Sequence, residues 1–291
     1  MKKILSPISL MAIFIILVNC KPMIKENSFL KNTAAAVING APVNPNEILS
    51  KSVVGLMMNY EISDGNQVWI QGCTGSVLNQ KFILTAAHCV ANQHAENLAI
   101  NFSLNSVTSE QQINPKTRIT DIEKSFKIRK VKSFVQHPLY DGSGKNDLAL
   151  ILLESEVPAD AISVVILPDQ YIDLAGNKTL FDQKNITVIL MGFGLINETP
   201  ITETDVLRQA TVPAVFQGEF VITDQTKGFG GCNGDSGGPA FFTFESITYQ
   251  VGVTHGPHGD STTCHQQGEW SNPALNKDFL KTGQEKLLSE K

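Results

Sequence analysis

Residues 230–239 read Gly-Gly-Cys-Asn-Gly-Asp-Ser-Gly-Gly-Pro and surround Ser236 with glycines. Glycine has no side chain, so the backbone beside this hydroxyl is open to close approach by another molecule. A serine hydroxyl attacks an amide poorly unless a base removes its proton and N–H groups stabilise the resulting oxyanion. Taken alone, the segment is more typical of a turn, and its meaning depends on residues elsewhere in the chain.

Two other segments offer the missing groups. Residues 85–89 read Thr-Ala-Ala-His-Cys, and residues 146–150 read Asn-Asp-Leu-Ala-Leu. His88 lies on a short apolar turn, and Asp147 lies at the start of an apolar strand. Each could be an ordinary structural residue by itself, a core histidine or a turn aspartate. Together with Ser236 they predict a nucleophile, a base and a carboxylate that orients the base.

The three segments also resemble a known family. Residues 84–89, 146–150 and 234–239 look like the signature motifs of the trypsin/chymotrypsin family of serine proteases, in the family's His, Asp, Ser order. The similarity extends from about Val37 to the terminal helix. It implies an all-β fold of two six-stranded antiparallel β-barrels with a C-terminal helix.

The resemblance implies a role for each residue. His88 would take the hydroxyl proton of Ser236 and pass it to the leaving amine. Asp147 would fix the tautomer of His88 and stabilise the imidazolium. The backbone N–H groups of Gly234 and Ser236 would form the oxyanion hole. No metal and no cofactor are expected.

Five cysteines are present. Without Cys20 they leave an even set, for which three disulfide pairings are possible in an oxidising compartment. The family resemblance implies that Cys73 pairs with Cys89, and that Cys232 pairs with Cys264.

Composition and local pattern agree with a globular β protein. The chain has 291 residues, is 42% hydrophobic, and its 28 acidic and 23 basic residues are scattered, which gives no sign of nucleic-acid binding. Short β-rich runs bounded by Gly, Pro, Asn or Asp favour a sandwich or barrel. The runs lie at residues 53–58, 68–70, 82–84, 98–102, 127–135, 148–153, 187–191, 207–215, 240–244 and 248–253.

The N-terminus indicates export. Two lysines precede an apolar stretch at residues 8–18 that is too short to span a bilayer comfortably, so residues 1–19 are interpreted as a signal peptide. Residues 17–20, Leu-Val-Asn-Cys, resemble the lipobox of bacterial lipoproteins. Cys20 is thus a lipidation candidate, and the alternative is a plain secretory signal with a leftover cysteine. The expected location is extracellular or the bacterial cell envelope.

The rest of the chain divides into a polar segment and a peptidase domain. Residues 20–36 are interpreted as a linker or propeptide, and residues 37–291 as the peptidase domain. Within that domain the predicted parts are a first barrel at 37–155, a second barrel at 156–272 and a C-terminal helix at 273–291.

Residues 37–40, Val-Ile-Asn-Gly, resemble the N-terminus that zymogens of this family expose on activation. The ammonium of Val37 would then pair with the carboxylate of Asp235 and order the oxyanion loop, since a buried unpaired charge is costly. The alternative is an ordinary strand start.

The specificity pocket is expected to be uncharged. Gly230 and Gly231 stand where trypsin-like members carry the acid that selects Lys or Arg. Thr254, His255 and Gly256 resemble the pocket wall that pairs with substrate, and Gly268 its rear glycine. An open, uncharged pocket favours a large uncharged side chain before the scissile bond.

His255 replaces the aromatic residue usual in the wall and forms a local group with His258 and His265. Three interpretations remain: solvated loop histidines, a cation that assists an acidic substrate residue, or a metal site. His94 and His137 are interpreted as structural.

The resulting hypothesis is a monomeric serine endopeptidase acting on proteins or peptides. Two alternatives belong to other classes. One is a catalytically silent protease homologue used as an extracellular binding module, and the other is a lipoprotein adhesin whose barrels merely present loops.

Overall fold

The structure is a computed structural model that describes residues 37–61, 67–106, 127–173, 176 and 178–290. The predicted signal peptide, the lipidation candidate Cys20 and the predicted linker at 20–36 lie outside the described residues. Within the described ranges, no helix has the length and apolar character needed to cross a membrane.

Short antiparallel strands make up most of the described chain. They are β1 (Ala41–Pro42), β2 (Val53–Glu61), β3 (Gln67–Val77), β4 (Phe82–Thr85), β5 (Leu98–Asn101), β6 (Ile128–Gln136), β7 (Ala149–Leu153), β8 (Ile172–Asp173), β9 (Lys178–Thr179), β10 (Asn185–Gly192), β11 (Asn197–Glu198), β12 (Ile201–Thr202), β13 (Arg208–Gln217), β14 (Phe220–Asp224), β15 (Pro239–Phe244), β16 (Ile247–Pro257) and β17 (Gln267–Ser271). Two α-helices are described, α1 (Ala87–Val90) and α2 (Lys277–Ser289).

The first barrel closes in the order β2-β3-β4-β7-β6-β5, with every neighbouring pair antiparallel. Its interior is filled by branched aliphatic side chains, which suit a pleated surface. Val54, Leu56, Ile83, Ile100 and Leu150 are buried there.

The second barrel runs β13-β10-β15-β16-β17-β14 and closes where β14 pairs with β13. Its β13 shows the expected period of two, because alternate side chains point into the barrel. The inward residues are Ala210, Val212, Ala214 and Phe216. The predicted all-β fold of two six-stranded barrels with a C-terminal helix is therefore confirmed.

Each end of the described chain packs on the barrel formed by the other half of the sequence. Strand β1 pairs with β13 of the second barrel, where Ala41 faces Gln209, although the predicted division at residue 155 groups β1 with the first barrel. Helix α2 follows the second barrel but packs on the first, where Phe279, Leu280 and Leu287 join the core. Strand β7 is buried on both faces because it lies between the barrel interior and this helix.

Seven of the described strands have no counterpart among the predicted runs: the barrel strands β14 and β17, and the two-residue strands β1, β8, β9, β11 and β12. The predicted run at 68–70 is a small part of the eleven-residue β3. The predicted C-terminal helix begins as a 3-10 turn at Pro273–Asn276, where Asn272 Oδ1 accepts a hydrogen bond from the N–H of Ala274. The α-helix proper runs over Lys277–Ser289.

Candidate active site

Asp147 is held by the backbone and the side chain of His88. Asn146 has φ 56°, a left-handed conformation that asparagine tolerates, and Asp147 follows it into a fully buried position. The N–H of His88 in α1 donates to Asp147 Oδ1 at 2.9 Å, and His88 Nδ1 lies 2.6 Å from Asp147 Oδ2. The two residues are 59 positions apart in sequence, and the closed first barrel brings them together.

The carboxylate of Asp147 stays ionised despite its burial. Burial alone would raise the pKa of Asp147, but hydrogen bonds from His255 and His88 outweigh it and lower the pKa to about 2. An ionised carboxylate only accepts hydrogen bonds, so the Nδ1 of His88 carries the proton. The Nε2 of His88 is then left with a lone pair, as a general base requires.

His255 contacts the same carboxylate from the second barrel. Its Nδ1 lies 2.6 Å from Asp147 Oδ2, the oxygen that His88 also contacts. The hydrogen bond to Asp147 raises the pKa of His255, against the lowering effect of burial. No sequence motif pointed to this contact, which joins residues 108 positions apart.

The three neighbouring histidines of the sequence do not act as one group. His258 Nδ1 lies 2.6 Å from Glu269 Oε2, and His265 Nε2 lies 3.7 Å from Glu198 Oε2. His255, His258 and His265 thus face three different carboxylates, and in the described part of the chain they do not converge on one point that could hold a metal ion.

The two histidines interpreted as structural lie outside this site. His94 precedes the 3-10 turn at Ala95–Asn97, and its carbonyl accepts a hydrogen bond from Asn97. The ring of His137 packs on Phe279 of α2 at 4.7 Å between centroids.

The loop that carries Ser236 is clamped by the first barrel. The N–H of Thr74 in β3 donates to the carbonyl of Ser236 at 2.8 Å, and the Thr74 hydroxyl donates to the carbonyl of Gly234 at 2.9 Å. The serine loop of one barrel is therefore fixed by a strand of the other.

The N–H groups of Gly234 and Ser236, on either side of Asp235, are free to donate to a ligand. The N–H groups of Asp235, Gly237 and Gly238 donate to backbone carbonyls, whereas those of Gly234 and Ser236 donate to no group among the described residues. Gly234 has φ 95°, and a Cβ there would lie 2.9 Å from Gly194 Cα, so only glycine fits. The two free donors are those that the family resemblance assigns to the oxyanion hole.

A disulfide sulfur lies beside both His88 and Ser236. Cys89 Sγ is 3.7 Å from His88 Nε2 and 3.5 Å from the carbonyl oxygen of Ser236. Among the described residues, no hydrogen bond joins the Ser236 hydroxyl to His88. Catalytic hydrogen bonds often tighten only when substrate is bound.

The disulfides are those implied by the resemblance. Cys73 is bonded to Cys89 and Cys232 to Cys264. The first fixes α1, which carries His88, to β3, and the second ties the serine loop to the segment before β17.

Asp235 is a buried carboxylate bound by two backbone donors. The N–H of Gly194 donates to its Oδ1 and the N–H of Cys232 to its Oδ2, both at 2.8 Å. Burial raises the pKa of Asp235 to about 7, although these hydrogen bonds lower it. Val37 and Ile38 are also buried, and Ile38 packs on the Cys232–Cys264 disulfide.

A pocket opens beside Ser236. Five of the six residues predicted for its walls line it: Gly231, Thr254, His255, Gly256 and Gly268. Gly230 does not, because it pairs with Ile38 and its Cα faces the side chain of Gln225. Gln225 and Trp270 are lining residues that the sequence did not indicate.

The amide of Gln225 is saturated by its surroundings. Its Nε2 donates to the carbonyls of Cys264 at 2.7 Å and Gly231 at 3.2 Å. Its Oε1 accepts from the N–H of Gly231 at 2.9 Å and the hydroxyl of Thr223 at 3.2 Å. Gln225 therefore supplies neither a charge nor a spare hydrogen bond to a side chain in the pocket.

Metal ligation at this site would require rearrangement. His88, Asp147 and His255 offer ligand atoms within 4.8 Å of one another. However, both Nδ1 to Oδ2 distances are 2.6 Å, shorter than the roughly 3.3 Å between ligands at a tetrahedral zinc with bonds of about 2.0 Å. The arrangement is that of two hydrogen bonds to one oxygen.

Comparison with known proteins gives one family. The family model described as Trypsin matches residues 46–269. The chain is 29% identical over 230 residues to a chymotrypsin of Phaedon cochleariae, covering 72% of this chain and 74% of the relative. It is 28% identical over 192 residues to brachyurin of Leptuca pugilator, covering 62% and 74%. It is also 26% identical over 220 residues to serine protease 28 of Mus musculus, covering 68% and 71%.

Proposed function

Because the chain belongs to the trypsin family of serine proteases, we propose that it is an exported serine endopeptidase that cleaves proteins or peptides through an acyl-enzyme. The observation that carries the proposal is the pairing of His88 with the buried, ionised Asp147. A paired and oriented imidazole next to a serine loop with two free N–H donors is what acyl transfer needs.

The proposed mechanism assigns one role to each group. The lone pair of His88 Nε2 takes the proton of the Ser236 hydroxyl as its oxygen attacks the substrate carbonyl. The N–H groups of Gly234 and Ser236 donate to the oxyanion of the tetrahedral intermediate. His88 then gives the proton to the leaving amine, and a water molecule repeats the sequence to hydrolyse the acyl-enzyme.

The proposed specificity is for a large uncharged residue before the scissile bond. The wall glycines Gly231 and Gly268 leave space, and the saturated amide of Gln225 offers no charge to Lys or Arg. The edge of the Trp270 ring lies close behind both glycines and adds an apolar surface. Arg-ending substrates should therefore be cleaved poorly.

Export and activation are proposed from the sequence together with the site. Residues 1–19 act as the export signal, and Cys20 carries a lipid anchor, as its lipobox-like context indicates. The relatives named above come from animals, so a bacterial envelope location rests on this context alone. Cleavage between residues 36 and 37 would create the ammonium of Val37 for Asp235 and release the enzyme from its anchor.

N-terminal sequencing and intact mass of active protein from the medium test this processing. A chain starting at Val37 is expected. Full activity from chains that begin at Cys20 or Lys21 would contradict the coupling of activation to release.

The proposed activity is tested by labelling the mature protein with a fluorophosphonate and by casein hydrolysis. Covalent labelling is expected at Ser236, and Ser236→Ala should abolish it. Ser236→Ala and His88→Ala should each lower kcat about 10⁵–10⁶-fold, by analogy with the subtilisin triad. A folded mature protein without labelling or hydrolysis would instead indicate a silent homologue that binds other molecules.

A further inference from the structure

Asp147 Oδ2 is shared by two imidazoles, one from each barrel. We propose that His255 is a positioning residue of the catalytic centre, which holds the carboxylate of Asp147 in place and moderates its interaction with His88. The proposal rests on the proposed function, since positioning matters only if His88 acts as a base.

The geometry at the carboxylate supports this role. His88 and His255 both place Nδ1 2.6 Å from Oδ2, and their rings are nearly perpendicular with centroids 5.7 Å apart. Because the ionised carboxylate only accepts, both Nδ1 atoms carry protons. The charge of one oxygen is thus divided between two donors.

The backbone conformation at His255 also supports this role. In the pairing of β16 with β17, Thr254 faces Trp270 and Gly256 faces Glu269, so His255 is the extra residue of a β-bulge. A bulge turns the side chain of its extra residue away from the regular alternation, and bulges are frequent next to active sites. Here the bulge directs the imidazole at Asp147.

The neighbouring Thr254 is fixed to the serine loop. Its N–H and its hydroxyl both donate to the carbonyl of Gly238 at 2.9 Å, and its carbonyl accepts from the N–H of Gly237 at 2.8 Å. The Thr254 hydroxyl is therefore engaged elsewhere, and His255 is the donor that this strand gives to Asp147. Its position is set by the same loop that carries Ser236.

The charged and titratable groups around His255 come from four elements. Asp147 precedes β7, His88 lies on α1, and Glu269 lies on β17 close to the same backbone at Gly144. Glu269 in turn contacts His258 at the end of β16. Both carboxylates favour a proton on His255, which would draw the charge of Asp147 further from His88.

The consequence is that the charge on Asp147 Oδ2 is divided between His88 and His255. With His255 present, Asp147 has a restrained orientation and gives only part of its charge to the imidazolium that forms on His88. Without the His255 donor, Asp147 would interact more strongly with protonated His88. His88 would then keep its proton, and so could not act as a base, up to a higher pH. A weaker hold on the carboxylate would also lower kcat.

The variants His255→Leu and His255→Asn test this role. Asn places an amide N–H near the position of the His Nδ1, whereas Leu has similar bulk and no donor. In His255→Leu, kcat is expected to fall about tenfold with KM changed less than about threefold, as expected for loss of a hydrogen bond to a charged group. The acid limb of the kcat/KM profile should move to higher pH. His255→Asn should restore both properties.

If His255 were a wall residue that only packs against substrate, both variants would raise KM and leave the acid limb of the kcat/KM profile unchanged. This result would overturn the proposal. His258→Gln is the matched control, because it removes a neighbouring imidazole that contacts Glu269 and not Asp147. It should leave the acid limb in place. If His255→Leu does not fold, His255→Gln takes its place. Its amide lies nearer the position of Nε2 than of Nδ1, so His255→Gln should show the lowered kcat and the shifted acid limb, whereas His255→Asn should show neither.

Proton NMR of ¹⁵N-labelled protein separates this proposal from the proposed function. Downfield imidazole Nδ1–H resonances are expected for both His88 and His255, and His255→Leu should remove one and shift the other. An unchanged His88 signal would refute the shared carboxylate. Coupled signals in a mature protein without hydrolytic activity would support the shared carboxylate and overturn the proposed function alone.

Discussion

The backbone N–H of Gly194 donates a 2.8 Å hydrogen bond to the buried Oδ1 of Asp235. Gly194 precedes Leu195, which packs with Ile38 against the Cys232–Cys264 disulfide. The carboxylate therefore connects the serine loop with the segment beyond β10. In the uncut chain no cation accompanies it among the contacts that the structure describes.

This burial makes the stability of the uncut chain depend on pH. The pKa of Asp235 is about 7 in the fold, above the roughly 3.9 of an unfolded aspartate, so the native state binds the extra proton between these values. The Tm of the uncut Ser236→Ala chain should therefore fall by several degrees as the pH rises from about 4 to about 7. Calorimetry across this range measures it.

Asp235→Asn in the same background is the control, since the amide does not titrate and should flatten this part of the curve. After cleavage before Val37, the new ammonium should favour the charged carboxylate and remove the fall. A rise in the Tm of the uncut chain over the same pH range would contradict a raised pKa of Asp235.

Gly234→Ala should impair catalysis more than binding. The added Cβ would lie 2.9 Å from Gly194 Cα at a residue with φ 95°, so the backbone must turn and carry its N–H away from the oxyanion. Loss of one oxyanion donor typically lowers kcat about 10²–10³-fold. Steady-state kinetics with active-site titration should show this fall with little change in KM, whereas unchanged kcat would remove Gly234 from the oxyanion hole.

Gln225→Glu should shift specificity towards basic residues. The new carboxylate would face the carbonyls of Cys264 and Gly231, which now accept from the amide. A cationic side chain in the pocket would relieve this repulsion, so the ratio of kcat/KM for Arg-ending over Leu-ending substrates should rise about tenfold, the equivalent of a single charged hydrogen bond.

The matched control is Gln267→Glu, which adds the same charge at an exposed residue of the pocket rim. It should change the ratio little, because solvent screens an exposed charge. Equal effects of the two substitutions would mean that Gln225 does not form the base of the pocket.

Leu287→Ala should lower the free energy of unfolding by about 2–5 kcal/mol, because a fully buried leucine is replaced by a cavity in the first barrel's core. Leu288, its neighbour on α2, is 62% exposed, and Leu288→Ala should change stability by less than about 0.5 kcal/mol. Urea unfolding of both variants provides the comparison. Similar losses would mean that α2 does not pack as described.

The fold was predictable because three short segments carry a recognisable pattern, and because strands such as β13 alternate regularly. Strand β17 escaped prediction because Gln267, Gly268, Glu269 and Ser271 have no apolar alternation. Glu269 is nevertheless buried, because it contacts His258 and lies over the loop at Gly144. Such burial depends on distant partners and leaves no local pattern.

The same reason applies to the site. Residues 84–89, 146–150 and 234–239 could be singled out locally, but the contact of His255 with Asp147 depends on a bulge and on two barrels meeting. Gln225 was overlooked because the base of the pocket was expected six residues before Ser236, at Gly230. The side chain of Gln225 instead reaches that place from the end of β14.

The crossed ends of the chain have a mechanical consequence. Strand β1 fastens the start of the domain to the second barrel, and α2 fastens its end to the first. Each barrel thus contacts a segment from the other end of the chain, β1 on the second barrel and α2 on the first. The two barrels cannot separate unless both contacts are broken. Two fragments cut between the barrels would each carry the other's missing piece, so they should reassemble when mixed instead of folding independently.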